Sequence, residues 1–120
     1  MIDQQFAQKF ARAWVEAWNS HEIARILSHY AEDFEMTSPF ITSMVGEPSG
    51  TLKGKERVAE YWKGALEKIP DLKFEIIDVL FSINSVVIYY QAVLGKMGAE
   101  ILLFGNDGKV IKSIAHYDNL

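Results

Sequence analysis

Glu100 is the side chain in this sequence that is best placed for proton transfer. The next four residues, Ile101-Leu102-Leu103-Phe104, are all apolar, which is typical of a buried β-strand. If the Glu100 side chain faces an apolar interior, burial raises its pKa and suits it to general acid or base catalysis. The alternative is a solvated carboxylate at the end of a strand, which is where most glutamates lie.

Aromatic residues recur at helical spacing in two segments, Trp14 with Trp18 and Tyr61 with Trp62. Aromatic rings combine a wide apolar contact surface with a polar edge, so these four could line a cavity for a flat apolar ligand. The same residues could equally form ordinary core packing.

A histidine and a tyrosine close the last predicted strand. Strand alternation puts His116 on one face with Ile114, and Tyr117 on the other face with Ala115. A β-bulge would exchange the two faces, so both His116 and Tyr117 are candidate site residues.

Several other kinds of chemistry have no counterpart in the sequence. There is no cysteine, no G-x-S-x-G motif and no phosphate-binding glycine loop. His21 and His29 are eight residues apart and belong to no metal-binding motif, so we expect both on the surface. We predict neither a metal nor a cofactor.

Length and charge indicate one domain, residues 1–120, of an ordinary globular protein. Apolar residues make up 49% and charged residues 23% of the chain, with a net charge of −4. No basic cluster suggests a nucleic-acid or membrane partner. The first residues do not resemble a signal peptide, and the apolar runs are too short to span a bilayer, so we expect a cytoplasmic protein.

Three helices are predicted from apolar spacing. The first begins at the N-cap candidate Asp3 and ends at Asn19-Ser20, and the second runs from Ile23 to near Ala31. The third spans Lys55–Lys68.

The remaining segments are predicted to be strands and loops. A short strand from Phe34 runs into Pro39, and residues 39–53 form an irregular loop, with room for a small strand, that could act as a lid. Two hairpins follow, Phe74–Phe81 with Val86–Leu94, and Glu100–Phe104 with Val110–Tyr117. Helices followed by an antiparallel meander indicate an α+β fold.

The element order, the motif W-N-S-H-E-x3-I-L-x-x-Y-A-E-D-F (residues 18–34) and the segment Leu52-Lys53-Gly54-Lys55 resemble the nuclear transport factor 2-like superfamily. The SnoaL-like polyketide-cyclase branch is the most similar. This resemblance implies a cone, with three N-terminal helices packed on a curved, mostly antiparallel sheet around a ligand cavity. Many members dimerise through the outer face of the sheet.

Ketosteroid isomerase, a member of that superfamily, provides a residue-by-residue comparison. Its general-base aspartate corresponds to Ser38, before Pro39, and its oxyanion-hole tyrosine corresponds to Trp14. Its second oxyanion acid falls near Glu100. A serine is no base without a partner and an indole is a poorer donor than a phenol, so we do not expect the same mechanism.

The resemblance implies that one cavity collects side chains from separate elements. The predicted catalytic residues are Glu100, Ser38 and Tyr117. The predicted ligand-binding residues are Trp14, Trp18, Met36, Tyr61, Trp62, Tyr90 and His116. The predicted function is cofactor-free acid/base chemistry (isomerase, cyclase or dehydratase) on a small apolar carbonyl compound. The alternatives are a non-catalytic ligand-binding or dimerisation module and a structural protein without a pocket.

A homodimer through the outer face of the sheet is also predicted. Strand alternation puts Ile111 with Tyr117 on one face of the last strand, and Val110 with Ile114 on the other. An uncovered second face would expose a large apolar patch, and a twofold-related copy is the simplest cover.

Overall fold

The computed structural model describes residues 2–120, which form four α-helices and one six-stranded sheet. The helices are α1 (Gln4–Ser20), α2 (Ile23–Leu27), α3 (Pro39–Val45) and α4 (Lys55–Lys68). The strands are β1 (Tyr30–Thr37), β2 (Thr51–Lys53), β3 (Glu75–Phe81), β4 (Ser85–Gln91), β5 (Met97–Phe104) and β6 (Val110–Tyr117). A 3₁₀ turn, Val93–Gly95, connects β4 to β5.

The sheet has the order β2-β1-β6-β5-β4-β3, and every pairing except β1 with β6 is antiparallel. The helices pack on one face of this sheet, which we call the inner face; the opposite face is the outer face. The predicted α+β fold, with helices on a mostly antiparallel sheet, is therefore confirmed.

Local signals account for the two long helices. The Asp3 carboxylate accepts a hydrogen bond from the Phe6 backbone N–H at 2.8 Å and caps α1, which ends where His21 adopts a left-handed conformation with φ 61°. In α4, Val58, Trp62 and Leu66 form the buried stripe. The bounds of α4 coincide with the prediction.

The prediction of an irregular loop over residues 39–53 was wrong for its first half, which forms α3. The Ser38 hydroxyl accepts a hydrogen bond from the Phe40 backbone N–H at 3.2 Å, and Pro39 occupies the first turn. Gly46, with φ 83°, ends the helix. Thr51–Lys53 forms the small strand, which pairs with β1.

The predicted end of the second helix near Ala31 was also wrong. Helix α2 ends at Leu27, and Tyr30 already belongs to β1, where it pairs with Val110 in the parallel ladder. The Tyr30 ring is buried and contacts Trp62. Tyr30 continues the apolar pattern of α2 because both pack into the same core, although the helix itself does not continue.

A β-bulge in β6 decides which side chains share a face. Phe104 pairs with Val110 and Leu103 pairs with Lys112, which leaves Ile111 as the extra residue. Val110 is consequently buried on the inner face, whereas Ile114 lies on the outer face. The predicted grouping of Val110 with Ile114 was therefore wrong.

Candidate functional site

A cavity of about 340 Å³ lies between the helices and the inner face of the sheet. Its aromatic lining consists of Trp14, Trp18, Tyr30, Phe40, Tyr61, Trp62, Phe74, Tyr90 and Tyr117. Its other lining residues are Met36, Ser43, Met44, Ala65, Lys68, Ile69, Leu72, Val93, Leu94 and Glu100. The volume suits a small molecule.

Glu100 is the only carboxylate in this lining, and its side chain is 3% exposed. The Ser113 hydroxyl donates to Glu100 Oε2 at 2.6 Å, and the Tyr90 hydroxyl donates to Oε1 at 3.3 Å. Burial raises the pKa of Glu100 to about 7, although both hydrogen bonds favour the ionised form. At neutral pH this carboxyl can therefore both accept and release a proton.

The position of Tyr90 depends on a glycine in the neighbouring strand. Gly98 pairs directly with Tyr90, and a Cβ atom at Gly98 would lie 2.9 Å from Tyr90 Cζ. The tyrosine ring lies over the bare backbone of Gly98, and its hydroxyl meets the carboxyl of Glu100 on the same strand. Gly98 is thus a requirement of the site.

Two more tyrosine hydroxyls face the same region. Burial raises the pKa of Tyr61 to about 12 and raises that of Tyr117 further above its ordinary value; the nearby Ser38 hydroxyl partly offsets both effects. Burial also raises the pKa of Tyr90. At neutral pH these tyrosines are therefore neutral hydrogen-bond donors.

Ser38 is buried beside the cavity and does not belong to its lining. Its hydroxyl oxygen accepts from the Phe40 N–H as the cap of α3. In this structure Ser38 therefore stabilises the start of α3. The hydroxyls of Tyr61 and Tyr117 lie near it.

The aromatic wall is tightly packed. Trp14 Nε1 donates to the Tyr30 hydroxyl at 3.0 Å, so its N–H is already occupied. Trp18 packs edge to face on Trp62, with ring centroids 4.9 Å apart. Trp18 Nε1 is the only buried side-chain polar atom of residues 2–120 that lacks a hydrogen-bond partner.

Eight of the ten predicted site residues line this cavity: Trp14, Trp18, Met36, Tyr61, Trp62, Tyr90, Glu100 and Tyr117. Ser38 lies next to it. His116 is exposed on the outer face, so the cavity lining does not include this predicted ligand-binding residue. On β6 the strand alternation holds at this point, and Tyr117 is the residue that faces inward.

Some residues of the site were missed in the sequence. The apolar spacing predicts a helix at Tyr30, and the proline and glycines of residues 39–53 predict a loop at Phe40. Ser113, which holds Glu100, shares the inner face with Ala115 and Tyr117. Counting back from Tyr117 in steps of two along the strand identifies Ser113 as an inward-facing residue.

The two remaining histidines are half-buried and do not lie free on the surface, contrary to the prediction. A ring nitrogen of His21 lies 2.8 Å from the Leu72 carbonyl oxygen, and His29 packs edge to face on Phe10. Within residues 2–120, no group of histidine and acidic side chains could hold a metal ion, and no helix is long and apolar enough to cross a membrane.

Comparisons with solved structures show the same fold. A SnoaL-like protein of unknown function from Burkholderia thailandensis is 51% identical, with a TM-score of 0.96 over 98% of both chains. A proposed isomerase of the SnoaL-like family from Agrobacterium tumefaciens is 14% identical, with a TM-score of 0.78 over 97% of this chain and 100% of that one. A proposed ketosteroid isomerase from Kribbella flavida is 16% identical, with a TM-score of 0.74 over 97% and 80%, respectively.

Sequence comparison gives the family. A search of curated proteins found no match. The family model described as the SnoaL-like domain matches residues 11–113, which is most of the chain and includes most of the cavity lining. The chain therefore belongs to the SnoaL-like family.

Proposed function

We propose that this protein is an acid/base enzyme that acts on a small, largely apolar carbonyl compound, with Glu100 as the proton-transfer group. The observation that carries the proposal is a buried carboxyl, with a pKa raised to about 7, in the wall of an otherwise mainly apolar cavity. A general acid or base works best when its pKa is close to the working pH.

The reaction begins when the Glu100 carboxylate removes a proton from the carbon next to the substrate carbonyl. The C–H electron pair forms a new C=C bond, and the carbonyl π electrons move to the oxygen. The Tyr117 hydroxyl, which lines the cavity, donates a hydrogen bond to this enolate oxygen. Ser113 holds the carboxyl in place through its hydrogen bond to Oε2.

The fate of the enolate decides the type of reaction. Return of the proton from Glu100 to a different carbon completes an isomerisation. Attack of the enolate carbon on a second carbonyl of the same molecule, followed by protonation of the alkoxide by Glu100, completes a cyclisation. Loss of a β-hydroxyl as water, again with the Glu100 proton, completes a dehydration.

The apolar cavity also supports a simpler function, namely ligand binding without catalysis. The two functions differ in whether an ionisable group reaches the ligand. The place of Glu100 in the lining favours the enzyme.

The test is turnover of enolisable aromatic ketones, followed as exchange of their α-protons for deuterium. Glu100→Gln is expected to lower the exchange rate by about 10²- to 10⁴-fold, which is the usual contribution of general acid–base catalysis. Glu75→Gln, at an exposed position of β3, is the matched control and should keep the rate. Ligand-induced changes in tryptophan fluorescence with no exchange in the wild type would identify a binding module.

We further propose that the protein forms a homodimer through the outer face. Leu80, Val87, Ile101 and Ile114 form an apolar row across four adjacent strands of this face. Leu80 is 55% exposed. An apolar surface of this kind favours association.

Sedimentation at about 20 µM, a concentration at which a stable dimer with a Kd near 1 µM is largely assembled, tests the dimer. The wild type should sediment as a dimer, and Ile101→Glu should sediment as a monomer with an unchanged circular dichroism spectrum. A monomeric wild type would contradict the proposal.

A further inference from the structure

Lys68 is the only cationic side chain in the lining of the cavity. We propose that the ligand of this protein carries an anionic group, of the carboxylate kind, that pairs with Lys68 at the cavity mouth while its apolar body fills the interior. The inference rests on the proposed function, because it assumes that the substrate binds in the cavity that contains Glu100.

The position of Lys68 follows from the helical repeat of α4. Tyr61, Ala65 and Lys68 are spaced i, i+4 and i+7 and therefore lie on one stripe of the helix, which faces the cavity. A rise of 1.5 Å per residue places Lys68 about 10 Å along the helix axis from Tyr61. Tyr61 is partly buried against the core and Lys68 is exposed, so this stripe runs from the interior of the cavity to solvent.

Exposure shows which end of the cavity is open. Ser43, Lys68 and Leu94 line the cavity and are also exposed to solvent, whereas Glu100 and Tyr90 are buried. Leu94 is 75% exposed, which is unusual for a leucine. The mouth is therefore formed by α3, the end of α4 and the β4–β5 connection.

The Lys68 ammonium group is available to a ligand. The ion pairs among residues 2–120 involve Arg25 and Lys55, and none involves Lys68. The nearby acidic residues Glu67 and Asp71 are not within ion-pair distance of it. An anion at the mouth would therefore meet an unpaired cation.

Solvation determines where a charged group of the ligand must lie. Transfer of an unpaired carboxylate into the apolar interior is strongly unfavourable, and a second negative charge next to Glu100 would be repelled when Glu100 is ionised. At the mouth the same carboxylate keeps part of its water and gains the attraction of Lys68. The ligand class is consequently an apolar compound with its reacting carbonyl at the Glu100 end of the cavity and its carboxylate at the mouth.

Another role for Lys68 comes from its place in the last turn of α4, where a cation interacts favourably with the helix dipole. That role alone would change the stability of the protein and would affect charged and uncharged ligands alike. The two roles are thus separated by a ligand pair that differs only in charge.

Tryptophan fluorescence suits this measurement, because all three tryptophans of the chain line the cavity. The probes are 6-phenylhexanoate and the uncharged 6-phenylhexan-1-ol. Lys68→Gln should weaken binding of the carboxylate about two- to fivefold, the range expected for a solvent-accessible ion pair, and should leave binding of the alcohol unchanged. Raised salt should reproduce the effect in the wild type.

Lys63→Gln is the matched control, since Lys63 is exposed on the same helix and lies outside the lining. It should leave both affinities unchanged. No binding of the carboxylate to the wild type, an equal effect of Lys68→Gln on both probes, or no effect on either would overturn the proposal. Carboxylate binding that depends on Lys68 without any ketone exchange would retain the anion site and reject the enzyme.

Discussion

The two faces of the sheet are built from the same strands yet differ in the side chains that they bury and expose. On β4, Tyr90 points inward and is 1% exposed, with its hydroxyl on a carboxyl, whereas its neighbour Tyr89 points outward and is 40% exposed. On β5, Glu100 points inward and Ile101 points outward. Alternation therefore places the buried carboxyl and its tyrosine partner on the inner face, which is otherwise mainly apolar, and leaves an exposed apolar row on the outer face.

This difference between the faces supports a separate proposed role for each. A buried carboxyl without a cationic partner destabilises a fold when it is ionised, so its retention on the inner face is understandable if it acts on a ligand. The apolar row on the outer face is the surface that we propose a second copy of the chain covers. Substitutions at neighbouring positions separate the two faces.

A large loss of stability on one face only is expected from truncating adjacent leucines. Leu102 is fully buried on the inner face, and Leu103 is half-buried on the outer face. Leu102→Ala should lower the free energy of unfolding by about 3 kcal/mol, because it removes buried methyl groups and leaves a void. Leu103→Ala should cost less than about 1 kcal/mol in the monomer, as for partly exposed side chains. Urea denaturation measures both, and equal losses would mean that the two faces are equally buried.

The next effect is on the pH dependence of stability. The pKa of Glu100 is about 7 in the folded protein and 4.5 in the unfolded chain, so between these values the folded protein binds the extra proton. The stability that the protonated Glu100 carboxyl gives to the folded protein is fully present below pH 4.5 and is lost as the pH rises through 7. The difference between the two pKa values corresponds to roughly 3 kcal/mol.

Urea denaturation at pH 4.5 and pH 8.5 tests this linkage. Other groups also titrate in this range, so the wild type is compared with Glu100→Gln. The wild type should lose roughly 3 kcal/mol more stability than the variant as the pH rises. Parallel curves for the two proteins would show that Glu100 titrates normally in the fold.

A smaller effect is expected from the glycine beneath Tyr90. Gly98→Ala introduces a methyl group 2.9 Å from Tyr90 Cζ, which must displace the ring and its hydrogen bond to Glu100. Overpacking of this kind costs about 1–3 kcal/mol. The neighbouring outward-facing change Ala99→Ser introduces a hydroxyl of modest size and should be nearly neutral. If Gly98→Ala leaves both stability and ketone exchange unchanged, Tyr90 does not depend on Gly98.

Much of the fold could be predicted from the sequence because its local signals agree with its tertiary contacts. The apolar stripe of α4 and the start of α1 at Asp3 are examples. Helix α3 was missed because Ser38-Pro39 is compatible both with the end of a strand and with a helix start, and only the Ser38 hydrogen bond distinguishes them. The bulge at Ile111 leaves no local signal, although it decides which residues of β6 face inward.

The site was less predictable than the fold. Glu100 could be named from its apolar neighbours, but its burial depends on Ser113 and Tyr90, which reach it from two other strands. Whether aromatic side chains leave a cavity or fill a core depends on small differences in packing across four helices and a sheet. Spacing along the chain does not contain that information.

The central claim, that Glu100 is a proton-transfer group inside a ligand cavity, is tested most directly by its own titration. Carbon-13 NMR of labelled glutamate side chains follows each carboxyl with pH, and the resonance missing from Glu100→Gln identifies Glu100. We expect this carboxyl to titrate near pH 7 and to shift when an aromatic ketone is added, while exposed Glu75 does not respond to the ketone. Titration of Glu100 at its ordinary value of 4.5, with no response to the ketone, would contradict the account.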